Sequence, residues 1–335
     1  MNYYLGENSK YNHMANLNQN NLIIACRNLI SKYNIKKILL AYSGGVDSSV
    51  LLDCLHKISL DGSIKIRTMH INHGISTQAI IFEKHCSDVT NKLNITHESI
   101  TVEIDSSSNI EEQCRNKRYE WLSKSCQLDE VIFTAHHEQD QVETFLLRLI
   151  RGSGARGLSS MKTESKCNEK LLYRPFLQTP KNMINEYCED NLISFVEDKT
   201  NQDSIFDRNF LRNNIIPMIE SRWPSINKNI LNNILIQDIQ SKYLVNSIND
   251  NLKYYCLGSN YQLSISKLND EESYKRILII HEWVIAQTGV ILNLKQIYEI
   301  LKIMKTSNDS NPLFTFSNIR ITKNNNALIV SISNN

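Results

Sequence analysis

The segment SGGVDS, residues 43–48, combines two adjacent glycines with hydroxyl side chains and one carboxylate. Adjacent glycines allow a tight turn that brings bare backbone N–H groups close to a ligand. A helical pattern begins near Asp47, and the N-terminus of a helix favours an anion, most simply a phosphate. Ser43 and Ser48 add hydroxyl donors, and Asp47 suits this place if Mg²⁺ lies between it and the phosphates. An unliganded glycine turn capped by Asp47 is the simpler alternative for so short a motif.

Strand and helix patterns alternate around this segment. The hydrophobic spacing predicts strands at 35–42, 64–72, 95–104 and 130–136, and helices at 47–57, 76–93, 109–126 and 138–150. Such alternation is typical of an α/β fold with a doubly wound parallel sheet. Ligands of these sheets bind at the carboxyl ends of the strands, so SGGVDS lies at the expected ligand edge.

The chain is long enough, at 335 residues, to predict two domains. A polar stretch at 1–20 precedes the alternating region and is predicted to be mobile. Pro217 and Pro224 place a boundary near residue 220, which gives a catalytic domain at 21–220 and a smaller α+β domain at 221–335. In the second domain we expect a helix at 292–304 and a hairpin at 313–333 that turns at its NNN sequence.

The charge and the cysteine content of the chain exclude some classes of protein. The net charge is +2, while residues 221–335 hold 12 Lys and Arg against 8 Asp and Glu, a weak indication of a polyanionic partner. The eight cysteines contain no C-x-x-C pair, which favours free thiols in a reduced cytoplasm. The N-terminus lacks the pattern of a signal peptide, and no apolar run is long enough to predict a membrane span. Without an H-E-x-x-H motif or a cysteine pair, we do not expect catalytic zinc.

Two stretches resemble a known family. SGGVDS resembles the pyrophosphate-binding loop of ATP pyrophosphatases, which cleave ATP to AMP and pyrophosphate. TAHHEQDQVETFLLRLIRGSGARGL, residues 134–158, closely resembles a segment of the tRNA(Ile)-lysidine synthases, and residues 111–122, 174–177 and 197–217 agree with it. The resemblance is strong over 35–220 and looser over 221–335. It implies an adenine-nucleotide alpha-hydrolase-like fold followed by a tRNA-binding domain.

The resemblance also implies a reaction. Enzymes of this family use ATP and Mg²⁺ to adenylate the ring carbonyl oxygen of the wobble cytidine in a CAU-anticodon isoleucine tRNA, with release of pyrophosphate. The side-chain amine of free L-lysine then attacks the activated ring carbon, AMP leaves, and lysidine is formed. The protein would accordingly be a cytoplasmic, RNA-binding ligase of tRNA processing. A homodimer is one assembly that the sequence leaves open.

The expected site residues follow from the matching motifs. The ATP loop is Ser43, Gly44, Gly45, Val46, Asp47 and Ser48, with Met69 and His70 near the adenine. Asp47 is the expected Mg²⁺ ligand, and the catalytic residues are Asp47, Arg118 and Asp140. Asp140 is expected to hold the ammonium of lysine rather than a metal, and Arg118 balances a phosphate or the carboxylate of lysine. Phosphate contacts with tRNA are predicted for five arginines: Arg148, Arg151, Arg156, Arg208 and Arg212.

One departure from the family pattern concerns the helix that follows TAHH. The two adjacent acids of the family here read Gln139-Asp140, so a mechanism that needs both carboxylates as metal ligands is in doubt. Two other functions share parts of the pattern. A tRNA-thiolating enzyme would use the same loop and adenylation step, and its pyrophosphate release would not depend on lysine. A non-catalytic nucleotide- or RNA-binding module would keep the loop without turnover.

Overall fold

A computed structural model describes residues 21–74, 78–105, 110–197, 206–258, 262–307, 312–316 and 318–332. The segment 1–20, predicted to be mobile, lies outside these ranges, as do the first residues of the helices predicted from 76 and 109. The chain divides into two compact units. The first comprises Met1–Glu143 and Met161–Asn227, and the second comprises Thr144–Ser160 and Lys228–Asn335.

The first unit contains a six-stranded sheet with helices between its strands. Its strands are β1 Lys37–Ala41, β2 Lys65–Asn72, β3 Thr96–Thr101, β4 Glu130–Phe133, β5 Glu164–Cys167 and β6 Lys170–Tyr173. The helices are α1 (21–32), α2 Val46–Ser59, α3 Ala79–Lys92, α4 Ile110–Ser125, α5 Glu138–Ile150, α6 Ala155–Leu158, α7 Lys181–Asp190, α8 Asp207–Phe210 and α9 Ile216–Arg222. Of these, α5 continues into the second unit, to which α6 also belongs.

The order of the strands is β3-β2-β1-β4-β6-β5, and all pairs except β5·β6 are parallel. The central strand β1 is buried on both faces. Ile38 and Leu40 pack into one apolar cluster, whereas Leu39 packs into a second cluster with Leu122 of α4 and Ile132 of β4. Burial on both faces explains why β1 is a continuous apolar run. The predicted doubly wound α/β class is confirmed.

Two features of the first unit differ from the predicted elements. The antiparallel hairpin β5–β6 was not predicted, because its strands are only four residues each and carry several polar side chains. The helical run after α8 widens into a π-helix, Leu211–Ile215, before α9. Pro217, the second residue of α9, has no N–H to donate, which accounts for the widened turn.

The second unit builds its own core around a five-stranded antiparallel sheet. The strand order is β7-β8-β11-β10-β9, and the buried Trp283 of α12 belongs to the core cluster. Its remaining elements are α10 Ile226–Tyr255, β7 Cys256–Leu257, β8 Gln262–Ser264, α11 Ile265–Asn269, α12 Ser273–Thr288, α13 Leu294–Met304, β9 Leu313–Phe316, β10 Ile319–Asn324 and β11 Ala327–Ile332. The predicted helix at 292–304 and the turn at NNN are confirmed, with Asn325 in the left-handed region at φ 49°. Among the described helices, none combines the length and the apolar character that a membrane crossing requires.

Two half-buried histidines lie at the neighbouring strands β2 and β3: His73 just after β2 and His97 within β3. His97 contacts Thr68 Oγ1 through its Nδ1 at 2.8 Å, and its Nε2 is buried without a hydrogen-bond partner. Burial, together with the nearby His70, lowers the pKa of His97 to about 4, and Glu83 opposes this shift. Burial also lowers the pKa of His73 to about 4. These imidazoles are therefore neutral in the folded protein at neutral pH.

Stability should consequently decrease between pH 6.5 and 4. A histidine in the unfolded chain has a pKa of about 6.5, so the unfolded state binds more protons in this window and folding loses stability as the pH falls. The variant His97→Asn should reduce the slope of unfolding free energy against pH by up to about 1.4 kcal/mol per pH unit, the value for one proton. Urea denaturation across this window measures the slope.

Thr68→Val is the matched control, because it removes the hydrogen bond of His97 but no titrating group. It should lower stability by about 1 kcal/mol at every pH and leave the slope unchanged. If wild type and His97→Asn show equal slopes, His97 is not held neutral by the fold.

Candidate active site

The loops after β1 and β4 meet at the switch point of the sheet. β1 and β4 are adjacent and parallel, but their chains continue to opposite sides of the strand order, toward β2 and β6 respectively. Loops that leave such a pair open a crevice at the carboxyl edge of the sheet. Residues 42–45 follow β1 and residues 134–137 follow β4, so the two sequence motifs are placed side by side.

The loop after β1 is held by its own serines. Ser48 Oγ donates to Gly45 O at 3.0 Å and lies 3.0 Å from Ser43 Oγ, while Gly45 N donates to Ser43 Oγ at 3.4 Å. α2 begins at Val46 after an extended Gly45, so the first N–H groups of the helix, from Val46 to Ser48, have no acceptor within it. These groups and the dipole of α2 suit a phosphate.

Gly44 is required by the shape of this loop. Its φ of +82° is in the left-handed region, and a Cβ at this position would lie 3.0 Å from Cys86 Sγ of α3. Val196 N donates to Gly44 O at 3.0 Å from the other side. The backbone at Gly44 is thus held by contacts with two neighbouring segments.

Asp47 lies at the mouth of the loop between two basic groups. Its Oδ1 accepts a hydrogen bond from Lys181 Nζ of α7, and its Oδ2 lies 3.6 Å from His137 Nε2. Burial raises the pKa of Asp47, but His137 and Lys181 together outweigh it, so the pKa is below its usual value. Asp47 is therefore an anion at neutral pH.

Asp140 lies on the opposite side of His137. It occupies the first turn of α5 and accepts the His137 backbone N–H at 2.8 Å, an N-terminal capping contact. His137 Nε2 lies 3.5 Å from the same carboxylate, while Arg208 donates to its other oxygen at 2.6 Å. Burial raises the pKa of Asp140, yet His137 and Arg208 hold it well below its usual value.

Glu143, one turn further along α5, is fully buried and paired with two arginines. Arg208 Nε donates to its Oε2 at 2.5 Å, and Arg212 donates to both oxygens at 2.6 and 2.9 Å. Burial of a carboxylate is tolerated when opposite charges and hydrogen bonds surround it. Arg208 and Arg212, for which tRNA contacts were predicted, thus have their guanidinium groups on Asp140 and Glu143.

Arg118 of α4 points its charge at the same crevice. Its guanidinium is among the groups that lower the pKa of His70 in β2, of His73 just after β2, and of His136 after β4. Within the described ranges Arg118 forms no ion pair, in contrast to Arg208 and Arg212. A cation without a carboxylate partner is suited to an anionic ligand.

The residues expected near the adenine are buried beside the loop. Met69 packs into the apolar cluster with Leu39, and its backbone O accepts from Tyr42 N at 2.9 Å. His70 Nδ1 lies 3.1 Å from Tyr42 O and 3.5 Å from Cys86 Sγ. Both residues support the loop from behind, and their contact with adenine stays a prediction.

The three arginines predicted to contact tRNA from the second unit have different surroundings. Arg148 donates to Gly157 O at 2.6 Å, and Arg156 pairs with Glu282 at 2.5 Å. Arg151 is exposed at the end of α5. Two of these side chains therefore stabilise the segment 151–158, and their predicted RNA contacts stay untested.

A metal ion would have few protein ligands here. The described residues contain no group of three His, Cys, Asp or Glu side chains placed to hold one. Mg²⁺, however, is commonly held by one or two carboxylates together with substrate phosphates. Asp47 fits this mode, because it is ionised and its Oδ2 is beyond hydrogen-bond distance from His137.

Lys181 is the site residue that sequence reasoning missed. It begins α7 after Pro180 and reaches Asp47, 134 residues earlier in the chain. Neither the position of Lys181 in the sequence nor the residues next to it indicate that it pairs with Asp47. Glu143 and His137 lie within the stretch 134–158, but no role was predicted for them, and only the geometry links them to Asp140.

The backbone requirement at Gly44 can be tested with a matched pair of glycines. Gly62 has a similar φ of +76° but open space around a Cβ, so Gly62→Ala measures backbone strain alone. We expect Gly62→Ala to cost about 1 kcal/mol of unfolding free energy, within the usual range for strain of this kind. Gly44→Ala should cost a further ~1–3 kcal/mol because its Cβ overpacks Cys86. Urea denaturation measures both, and equal losses would contradict the packing argument.

Comparison with known proteins agrees with this geometry. The family model described as PP-loop domain matches residues 18–219. A tRNA(Ile)-lysidine synthase of Coxiella burnetii is 30% identical over 87% of this chain and 65% of its own length. Another, of Buchnera aphidicola subsp. Baizongia pistaciae, is 36% identical over 90% of this chain and 70% of its own length. The chain thus spans about two thirds of the length of these relatives.

A solved structure is similar in fold. The U34-tRNA thiolase NcsA of Methanococcus maripaludis superposes with a TM-score of 0.50 at 15% identity, over 61% of this chain and 72% of that one. At this identity the likeness shows the fold alone. The matched family model and the extent of the similar relatives confirm the resemblance seen in the motifs: the chain belongs to the PP-loop domain family and to the tRNA(Ile)-lysidine synthases.

Proposed function

We propose that this protein is an ATP-dependent ligase that joins the side-chain amine of free L-lysine to the wobble cytidine of a CAU-anticodon isoleucine tRNA. The reaction takes place in the cytoplasm, in two steps. The base carbonyl oxygen attacks the α-phosphorus of ATP and pyrophosphate leaves; the amine of lysine then attacks the activated ring carbon and AMP leaves. Membership of this family supports the chemistry. The activity of the complete enzyme stays a proposal, because the chain spans only part of its relatives' length.

The observation that carries the proposal is the position of the glycine turn before α2, which lies beside two acids that share a contact with His137. Bare N–H groups at the start of α2 face the same crevice as Asp47, Asp140 and Arg118. Preorganised donors of this kind stabilise charge that develops on a leaving pyrophosphate. Lys181 offers a further cation close to that position, because it already contacts Asp47.

Mg²⁺ would be held by Asp47 together with phosphate oxygens, and it supplies charge neutralisation of the phosphates when bound. Residues of the chain provide the other contacts with the phosphates. Gly44, Gly45 and the first N–H groups of α2 hold the phosphates, and Lys181 neutralises charge next to Asp47.

Lysine is proposed to bind between Arg118 and Asp140. Arg118 suits the carboxylate of lysine, since no described acid pairs with it. Asp140 suits the ammonium, which would then share that carboxylate with Arg208. Burial lowers the pKa of His136 to about 3, so its imidazole is neutral and adds no further positive charge beside the ammonium.

Mass spectrometry of the tRNA tests the function directly. After incubation with ATP, Mg²⁺ and isotope-labelled lysine, we expect the CAU-anticodon tRNA to gain the label at its wobble cytidine. Sustained pyrophosphate release over many turnovers should depend on this tRNA and on lysine, because without lysine the activated base is not converted to product. Release without lysine, together with uptake of sulfur from a thiol donor, would instead identify a thiolating enzyme, and binding without turnover would identify a non-catalytic module.

The role of Asp47 is tested by Asp47→Asn. We expect labelled lysine transfer to fall about 10²–10³-fold, the usual effect of removing a charge that acts in the transition state. Affinity for tRNA, measured by filter binding, should stay within about twofold, since Asp47 faces the phosphates of ATP. Asp53→Asn is the control, because Asp53 lies on the same helix but pairs with Lys57 and Tyr187. An equal loss in both variants would contradict a special role for Asp47.

A further inference from the structure

A basic recess lies on the first unit between α4 and the β5–β6 hairpin. Its volume is about 240 Å³, and its lining includes Arg115, Tyr119, Lys166 and Arg174. None of the residues that line it is acidic. Within the described residues, neither Arg115, Lys166 nor Arg174 forms an ion pair, so three positive charges face this space without compensation.

Arg174 shows that the recess is built for an anion. Its side chain is only 6% exposed, and its Nη1 donates to Lys162 O and Ser165 Oγ at 2.8 Å each. Its Nε is buried and has no hydrogen-bond partner. Burial lowers the pKa of Arg174, and no carboxylate is among the neighbours that raise it. A buried cation with an unsatisfied donor is costly unless an anion occupies the adjoining space.

The recess adjoins the candidate active site. Arg174 directly follows β6, whose carboxyl end lies beside that of β4 because the two strands are parallel. The positive charge of Arg174 contributes to the lowered pKa of His136. Arg115 lies one turn before Arg118 on α4, and its guanidinium is 5.6 Å from the centre of the Tyr119 ring. The basic lining thus extends from the crevice across the face of the sheet.

We propose that this recess binds phosphates of the tRNA strand next to the wobble nucleotide. The inference rests on the proposed function, which brings a single-stranded anticodon loop into the adjacent crevice. Arginine and lysine side chains without acidic neighbours suit phosphodiester groups, and Arg174 provides a fixed donor at the end nearest the crevice. The recess would hold the strand in position while the base is activated.

The double variant Arg115→Gln/Lys166→Gln tests the proposal, because both side chains are exposed and their removal should not disturb folding. Binding of transcribed CAU-anticodon isoleucine tRNA is measured against salt concentration. The slope of log K against log salt should become shallower by about 1.4, or ~0.7 for each lost phosphate contact in a single strand. With equal affinities at 1 M salt, this slope corresponds to a loss of about 25-fold at 0.1 M salt and about fivefold at 0.3 M.

Lys37→Gln/Lys65→Gln is the matched control. It removes the same charge from two exposed lysines at the amino ends of β1 and β2, the opposite edge of the sheet. Its salt slope should equal that of the wild type. Equal salt slopes for the wild type, the double variant and the control would overturn the proposal. A higher KM for lysine or ATP in Arg115→Gln/Lys166→Gln, with unchanged tRNA binding, would also overturn it. The binding assay needs no turnover, so failure of the proposed lysine transfer is distinguished from failure of this site.

Discussion

Two carboxylates on one face of α5 are kept almost out of water, where two guanidinium groups balance their charges and His137 adds a further favourable contact at Asp140. Asp140 and Glu143 occupy successive turns, and Arg208 contacts both. Removing one partner from such an arrangement leaves a buried charge uncompensated, which costs far more than the pair gains. The position of α5 is thereby coupled to the helical segment that carries both arginines. The widened π turn at Leu211–Ile215 lies within that segment.

The charges in the crevice also show what a glutamine at position 139 changes. In the crevice, Asp47, Asp140 and Glu143 are matched by Lys181, Arg208 and Arg212, and Arg118 is left over among the described residues. A second acid at position 139, as in the family pattern, would add one negative charge to the same helical turn. With glutamine there, this turn carries no second negative charge to repel anionic ligands such as a triphosphate or a carboxylate.

The sequence was sufficient to predict the parts of the site that depend on local patterns. SGGVDS predicts a turn before a helix because glycine conformation and helix polarity are local properties. The inner strands β1 and β4 were predictable because burial gives continuous apolar runs, whereas the exposed edge strand β3 was predictable from its alternating pattern. The Asp47–Lys181 contact depends on the packing of α7 against α2, and no pattern in the sequence predicts this packing. The β5–β6 hairpin was missed because its short strands have no clear pattern of their own: β6 is defined by its pairing with β4, and β5 by its pairing with β6.

The sulfur atom behind Gly44 has a consequence for chemical durability. Burial raises the pKa of the Cys86 thiol to about 12, so at neutral pH it is protonated, and the reactive thiolate is scarce. Peroxides and alkylating agents therefore have little to attack, although the sulfur lies directly against the turn. Oxidation there would place charged oxygen atoms in the space that Gly44 occupies. The burial that shields the thiol thus also protects the shape of the nucleotide loop against redox stress.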